Sequence, residues 1–393
     1  MRGFKKIVIV SIIVLWIGLF VGISVGAQSW QDSWHDVQGN VYGYRTPVDI
    51  TSQTDVIDYQ LGIRIKPDSP VYDHTQADGK DVRIVMESRE KFFELPYWVE
   101  EWNPGGESKI WTKVPSIRNT VRIYLYYGSP EIEIRSNGKG VFEFFEDFSE
   151  LAGWEAYGQN KPTITTMRDR NVIEMRGWAE IVHSINLREP NYAFESLSTL
   201  TFGKNAYMPF FGFGSSDRKG NEDNAYQFGY NVWSGRWADN IRVYQDGRYS
   251  ANVNGELAYA NRTGWARTSF RVFQETLTQV VDDESREVQT ITAEDTAWKN
   301  QIPREVGVIV WSGKYAIDWL LVRKYVEPEP TYVMGREKER PLLKQKPKEL
   351  VRIPEEKPKE SEIIELIKEE IIRLNRRIAE LENRVEKLER RTP

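Results

Sequence analysis

The sequence contains no cysteine and only three histidines and six methionines in 393 residues. The missing cysteines exclude disulfides, zinc–thiolate sites and cysteine nucleophiles. The histidines, His35, His74 and His183, lie in separate segments, with no HExxH motif and no metal-ligand spacing. Strong charge of one sign is also absent. The net charge is -5, and no basic patch is interleaved with aromatics, so no nucleic-acid partner is expected. No GxSxG elbow lies in the β-patterned part of the chain, and no glycine-rich loop opens a helix. "GFGSSD" reads as a strand followed by a turn.

What is present is apolar and β-patterned. Apolar residues make up 40% of the chain, enough for packed cores, and the length suits two domains with extensions. The N-terminus places Arg2, Lys5 and Lys6 before the apolar run "IVIVSIIVLWIGLFVGISVGA". Residues 1–27 therefore read as a signal peptide cut ahead of Gln28, with Val25 and Ala27 at the cleavage positions. The alternative is an uncleaved anchor through residues 7–27, since the run approaches the ~20 residues that span a bilayer. Either way the rest of the chain is exported to the cell surface or beyond, and the membrane is touched only by an uncleaved anchor.

Residues 30–140 alternate strictly in "VIDYQLGIRIK", with Tyr59, Leu61, Ile63 and Ile65 on one face, and in "TVRIYLYYG", with Val121, Ile123, Leu125 and Tyr127 together. Turn signals separate the strands: "PDSP", "ADGKD", "NPGGES", "SNGKG". This is the pattern of half-buried antiparallel strands in a sandwich. Residues 141–333 continue it at larger scale, as about ten strands in a jelly roll or concanavalin-like sandwich. Asp246-Gly247 in "VYQDGRYSA" signals a type I′ hairpin. A second hairpin places Asp282 to Ser285 at its tip. The predicted fold class is all-β, with two β-sandwich domains. Residues 334–360 are a Pro/Lys/Glu-rich linker. Residues 361–391 carry heptads, with Ile364, Ile371, Ile378 and Val385 at a, and Ile367, Leu374, Leu381 and Leu388 at d. β-Branched a with mostly leucine d favours a parallel dimer, with a trimer as the alternative. Arg377 faces Glu382 and Arg384 faces Glu389 across that pairing. The chain's first expected partner is thus itself.

Candidate binding residues come from "NAYQFGYNVWSGRW". Tyr226, Phe228 and Tyr230 fall on one face and read as core. Gln227, Asn231 and Trp233 fall on the other, and Trp237 follows. Amides that bond hydroxyls beside indoles that stack on C–H groups suit a glycan. The competing reading packs both tryptophans under a loop. No catalytic residue is assigned. Paired carboxylates of the kind glycoside hydrolysis needs are found only as Glu143 with Asp147, and in Asp282 to Glu287, where a solvated turn explains them. Glu146, Asp147 and Asp318 are candidate ligands of a structural Ca²⁺, since the first and last strands of a jelly roll are often neighbours. The alternative is that they cap turns or pair with Arg323 or Lys324. No other cofactor is expected.

"YRTPVDIT", "DYQLGIRI", "DGKDVRIV", "LPYWVEEWN", "SKIWTKVPSI", "TVRIYLYYG" and "SNGKGVFEFFEDF" occur in that order. Together they resemble the domain of unknown function 2341 of exported archaeal and bacterial proteins, over residues 42–148. The resemblance implies a small β-domain followed by a concanavalin-like or laminin-G-like one, with "YAIDWLLVRKYVEPEP" as its closing strand, and it brings no catalytic residues. The expected function is a non-enzymatic binding or structural role at the cell surface, with a glycan or a protein as partner. A polysaccharide-active enzyme and a surface-layer or filament component are the alternatives.

Overall fold

The computed structural model describes Trp34 and residues 40–340, apart from 89–90, 131, 203–206, 215–223, 234–235, 255–263, 284–287, 295–296 and 312. The chain divides into two compact units, Met1–Pro341 and Leu342–Pro393, and all described residues lie in the first. The signal or anchor segment, linker residues 341–360 and the heptad positions fall outside them. No described helix is long and apolar enough to cross a membrane.

The first module contains β1 (Tyr44–Thr51), β2 (Val56–Ile65), β3 (Arg83–Ser88), β4 (Lys91–Leu95), β5 (Tyr97–Glu101), β6 (Ser108–Ile117) and β7 (Thr120–Tyr127). The second contains β8 (Phe144–Glu146), β9 (Trp154–Gly158), β10 (Thr163–Met167), β11 (Arg170–Arg176), β12 (Ala179–Ser184), β13 (Tyr192–Phe202) and β14 (Tyr207–Gly212). It continues with β15 (Ala225–Trp233), β16 (Arg236–Gln245), β17 (Arg248–Asn254), β18 (Ala266–Phe273), β19 (Thr276–Asp283), β20 (Gln289–Glu294), β21 (Glu305–Val310) and β22 (Lys314–Lys324). Two short strands follow, β23 (Thr331–Met334) and β24 (Lys338–Glu339). Two single turns of helix, Val71–His74 and Gly138–Val141, complete the described elements.

Each module is a sandwich of antiparallel sheets. The first stacks β23-β1-β7-β3-β4, with β24 also on β1, against β2-β6-β5. The second, jelly-roll-like, stacks β10-β11-β22-β13-β18-β19-β20, with β8 on β22, against β17-β16-β15-β14-β21-β12-β9. Period two explains the cores. Tyr59, Leu61, Ile63 and Ile65 are all buried, with Ile123, Leu125 and Tyr127 opposite them. In the second module Tyr226 and Phe228 join Phe211, Phe270, Val308 and Leu320. The Asp246-Gly247 turn forms as expected, with φ of 49° and 71°, both in the left-handed region that type I′ requires. Another hairpin escapes the sequence pattern. "TSFRVFQETLTQVVDD" reads as one strand but folds back between Phe273 and Thr276, where Gln274 takes φ 54°.

The domain boundary also differs from the expected one. Residues 331–339 leave the second module and return to the first. Thr331–Met334 pairs with Val48–Thr51, and Lys338–Glu339 with Tyr44–Arg45. Tyr332 and Met334 pack on the first core. Glu337 accepts from the Tyr127 hydroxyl at 2.6 Å and lies 3.1 Å from His74 Nδ1. The first module is therefore closed by chain that follows the second. A chain ended after Pro330 loses this ladder and the packing of two apolar side chains, worth about 3 kcal/mol or more. Urea unfolding should show that loss; unchanged stability would mean that the returning strand is dispensable.

Candidate functional site

The modules meet along a seam. Its apolar part is an aromatic cluster of Trp111, Phe142, Phe145, Trp319 and Leu321, with Trp98 edge-on to Phe145 at 4.8 Å and to Trp319 at 5.6 Å. Beside it runs a chain of charges. Arg323 is buried and donates through Nε to Glu195 Oε1 at 2.7 Å and through Nη1 to Glu329 Oε1 at 2.6 Å. The Tyr59 hydroxyl donates to that Glu329 oxygen at 2.6 Å. Glu195 Oε2 lies 3.9 Å from Arg267 Nε, and Arg267 pairs in turn with Glu100. Glu100 also accepts from Trp111 Nε1 at 2.7 Å and lies 3.5 Å from Lys109.

Burial sets the electrostatics. Burial pushes the Glu195 carboxyl up, with Arg323 pulling against it. Burial also opposes the Arg323 charge, but Glu195 and Glu329 outweigh it and hold the guanidinium well above its ordinary range. Glu329 is desolvated too, yet Arg323 and the Tyr59 hydroxyl hold its carboxyl below the usual value.

Two hollows of about 380 Å³ each open along the seam and share Arg64, Lys109, Arg267 and Asp282. A third, of about 320 Å³, adjoins the first through Arg170 and Asp318. The two most buried carboxylates of the first hollow stand at β-bulges. Strand β5 pairs Val99 with Ile110 and Glu101 with Lys109, which leaves Glu100 as the extra residue. Strand β22 pairs Trp319 with Leu197 and Ile317 with Ser198, which leaves Asp318 extra. A bulge re-aims the side chain it adds, and both acids line the hollow. Asp318 accepts from Arg170 Nη1 at 3.0 Å, and burial raises its carboxyl against that pull. Arg170 Nη2 donates to the Glu100 carbonyl at 3.1 Å, tying the two modules together.

The sequence-derived sites fare differently. Gln227 lies opposite the core face, as its parity requires, but it is fully buried, 3.5 Å from Arg242. Asn231 and Trp233 occupy the end of β15, paired with Ala238 and Arg236, and Trp237 pairs with Val232; their side chains lie outside the described residues. The proposed cation trio does not converge. Both Glu146 oxygens are taken, by the Phe148 N–H at 2.8 Å and by Trp154 Nε1 at 2.9 Å. Asp147 and Asp318 share the third hollow with Arg170. Among the described residues no three acidic or histidine side chains are grouped to hold a metal ion. Asp318 pairs with Arg170, not with Arg323 or Lys324. Glu143 accepts from Gln60 Nε2 at 3.0 Å instead of facing Asp147 as a pair. His183 is a strand residue whose Nδ1 lies 2.6 Å from the Ser184 carbonyl oxygen. Sequence reasoning missed Arg267 and Arg170, whose partners are distant in the chain. The only local signal was "YWVEEW", where Glu100 falls between two tryptophans.

Residues 78–157, a stretch that includes β3 and ends within β9, match the family described as Domain of unknown function (DUF2341). No curated protein matches the sequence. Among solved structures, a carbohydrate esterase from Shiga toxin-encoding bacteriophage phi24B is 13% identical, with 47% of this chain and 99% of that chain covered at a TM-score of 0.34. The carbohydrate-binding module CBM66 from Bacillus subtilis is 14% identical, with 44% and 96% covered at 0.32. A GH43 protein from Bacillus licheniformis is 12% identical, with 60% and 46% covered at 0.35.

Two outcomes test the seam. Glu195→Ala leaves Arg323 buried with half its partners gone, and should cost about 3–5 kcal/mol; calorimetry showing no loss would contradict the network. Glu329 has a folded pKa below its unfolded value of about 4.3, so it stabilises above that pH and the contribution disappears as pH falls through the folded value. The stability gap between the native chain and Glu329→Gln should therefore be widest near neutrality and shrink below about pH 4.

Proposed function

We propose that this is an exported, non-enzymatic surface protein whose paired β-sandwiches form one binding head for carbohydrate, gathered into oligomers by the C-terminal heptads. The observation that carries this reading is the state of the seam hollows. They lie within the size range of small-ligand sites, yet Glu100, Glu107 and Asp318 each already hold a cation. A carboxylate neutralised by an arginine is a poor proton donor or nucleophile, and a well-satisfied polar wall is suited to holding hydroxyls. Weak binding at each head is sufficient if several heads act together.

One observation favours the enzyme reading: burial raises the Asp318 carboxyl inside a hollow, as a general acid requires. Residues 28–393 should retain soluble polysaccharides on a glycan array or in affinity electrophoresis without releasing reducing ends or acyl groups. Turnover abolished by Asp318→Asn would replace binding with catalysis. Failure to retain any polysaccharide would end both readings.

A further inference from the structure

This inference rests on the proposed oligomerisation and names the surface through which two heads meet. Strand β10 (Thr163–Met167) ends the eight-stranded sheet of the second module. It pairs with β11 and, among the described residues, with nothing on its other side. Thr163, Ile164, Thr165 and Thr166 are all exposed, on both faces of the sheet, and none is charged. Ile164 stands opposite Ile173, which is fully buried in the core, yet Ile164 is itself 39% exposed. An open edge of neutral, β-branched residues is a template for another strand. Most other edges are blunted. Strand β4 carries Lys91 and Glu94, β2 carries Asp58 and Arg64, β9 carries Glu155, β17 carries Arg248, and β5 is bulged.

The hairpin fixes which backbone groups of β10 are free. Met167 pairs with Arg170 across the two-residue turn of Arg168 and Asp169, whose φ values are 51° and 60°. In such a turn the closing pair exchanges its backbone hydrogen bonds, and bonded and non-bonded pairs then alternate along the strands. Thr163, Thr165 and Met167 therefore turn their N–H and C=O groups toward β11. Ile164 and Thr166 turn theirs outward.

We propose that β10 pairs antiparallel with β10 of a second copy of this chain, about a two-fold axis at Thr165. In this register Ile164 of each copy exchanges backbone hydrogen bonds with Thr166 of the other. Lys161, just before the strand, comes level with Asp169. Both of those side chains are exposed, and neither has an ion-pair partner among the described residues. A centre at Ile164 would set Thr166 against Pro162, which has no N–H to donate. A centre at Thr166 would set Ile164 against Arg168, inside the turn. A dimer held by the heptads has the same two-fold symmetry and raises the local concentration of the two edges.

Because the chain has no cysteine, a single introduced one reports on this contact. The central, non-bonded residues of an antiparallel pair have Cα atoms about 4.5 Å apart, within disulfide reach. In residues 28–393, Thr165→Cys treated with oxidised glutathione should form a linked dimer roughly ten-fold faster than Thr163→Cys, whose Cα atoms would stand roughly 13 Å apart. Adding Thr166→Pro, which removes an outward N–H, should slow the Thr165→Cys link several-fold with the melting temperature unchanged. Adding Lys161→Glu, which sets like charges together, should slow it too. Equal rates for the two cysteines, or a Thr165→Cys rate that neither added change lowers, overturns this inference alone if sedimentation still shows an oligomer. A monomer in sedimentation overturns the heptad reading as well.

Discussion

Arg323 carries its charge into the interior of the protein, where it is only 3% exposed. A lone guanidinium there would be severely penalised, and removing one partner of such a pair typically costs several kcal/mol. Its two carboxylate partners come from different parts of the chain: Glu195 from β13, and Glu329 from the connection that leaves the second module. Glu329 is in turn held by Tyr59 of the first module. Satisfying one buried cation thus fixes how the sandwiches face each other. The aromatic cluster around Trp319 supplies apolar burial but little direction, whereas the ion pairs supply direction.

The returning strand adds a covalent argument to the same end. Because β23 and β24 complete the sheet begun by β1, the second module is inserted between two parts of the first. The chain enters and leaves it beside the seam. Swinging one module away would pull β23 from its ladder and separate Glu329 from Arg323. The hollows therefore have walls of fixed shape, and a preorganised site loses less entropy when a ligand arrives.

The fold was largely legible in the residues, because period-two alternation over β2 and β7 identifies a core face without reference to anything distant. The Asp246-Gly247 turn was legible for the same local reason. The Gln274 turn was not, since neither glycine nor asparagine marks it and alternation continues through it. The returning strand was missed because "TYVM" is short and sits among Pro, Lys and Glu, in a composition that reads as linker. The site was mostly hidden. At Glu100 and Asp318 a bulge adds one residue, and a one-residue change moves a side chain to the other face. Parity arguments fail at such positions by construction. The pairs Glu100–Arg267 and Asp318–Arg170 bridge long sequence separations that no local pattern encodes.

The bulges also bear on what kind of site this is. Each interrupts a ladder to place one acid in the seam, and each acid is then neutralised by an arginine from the second module. Had these acids been positioned for proton transfer, at least one would be expected to stand clear of cations. Instead Arg267 of β18 spans the seam to Glu100 of β5, while Arg170, held by Asp318 within the second module, reaches across it to the Glu100 carbonyl. The acids act as anchors for the arginines, and the arginines hold the modules together.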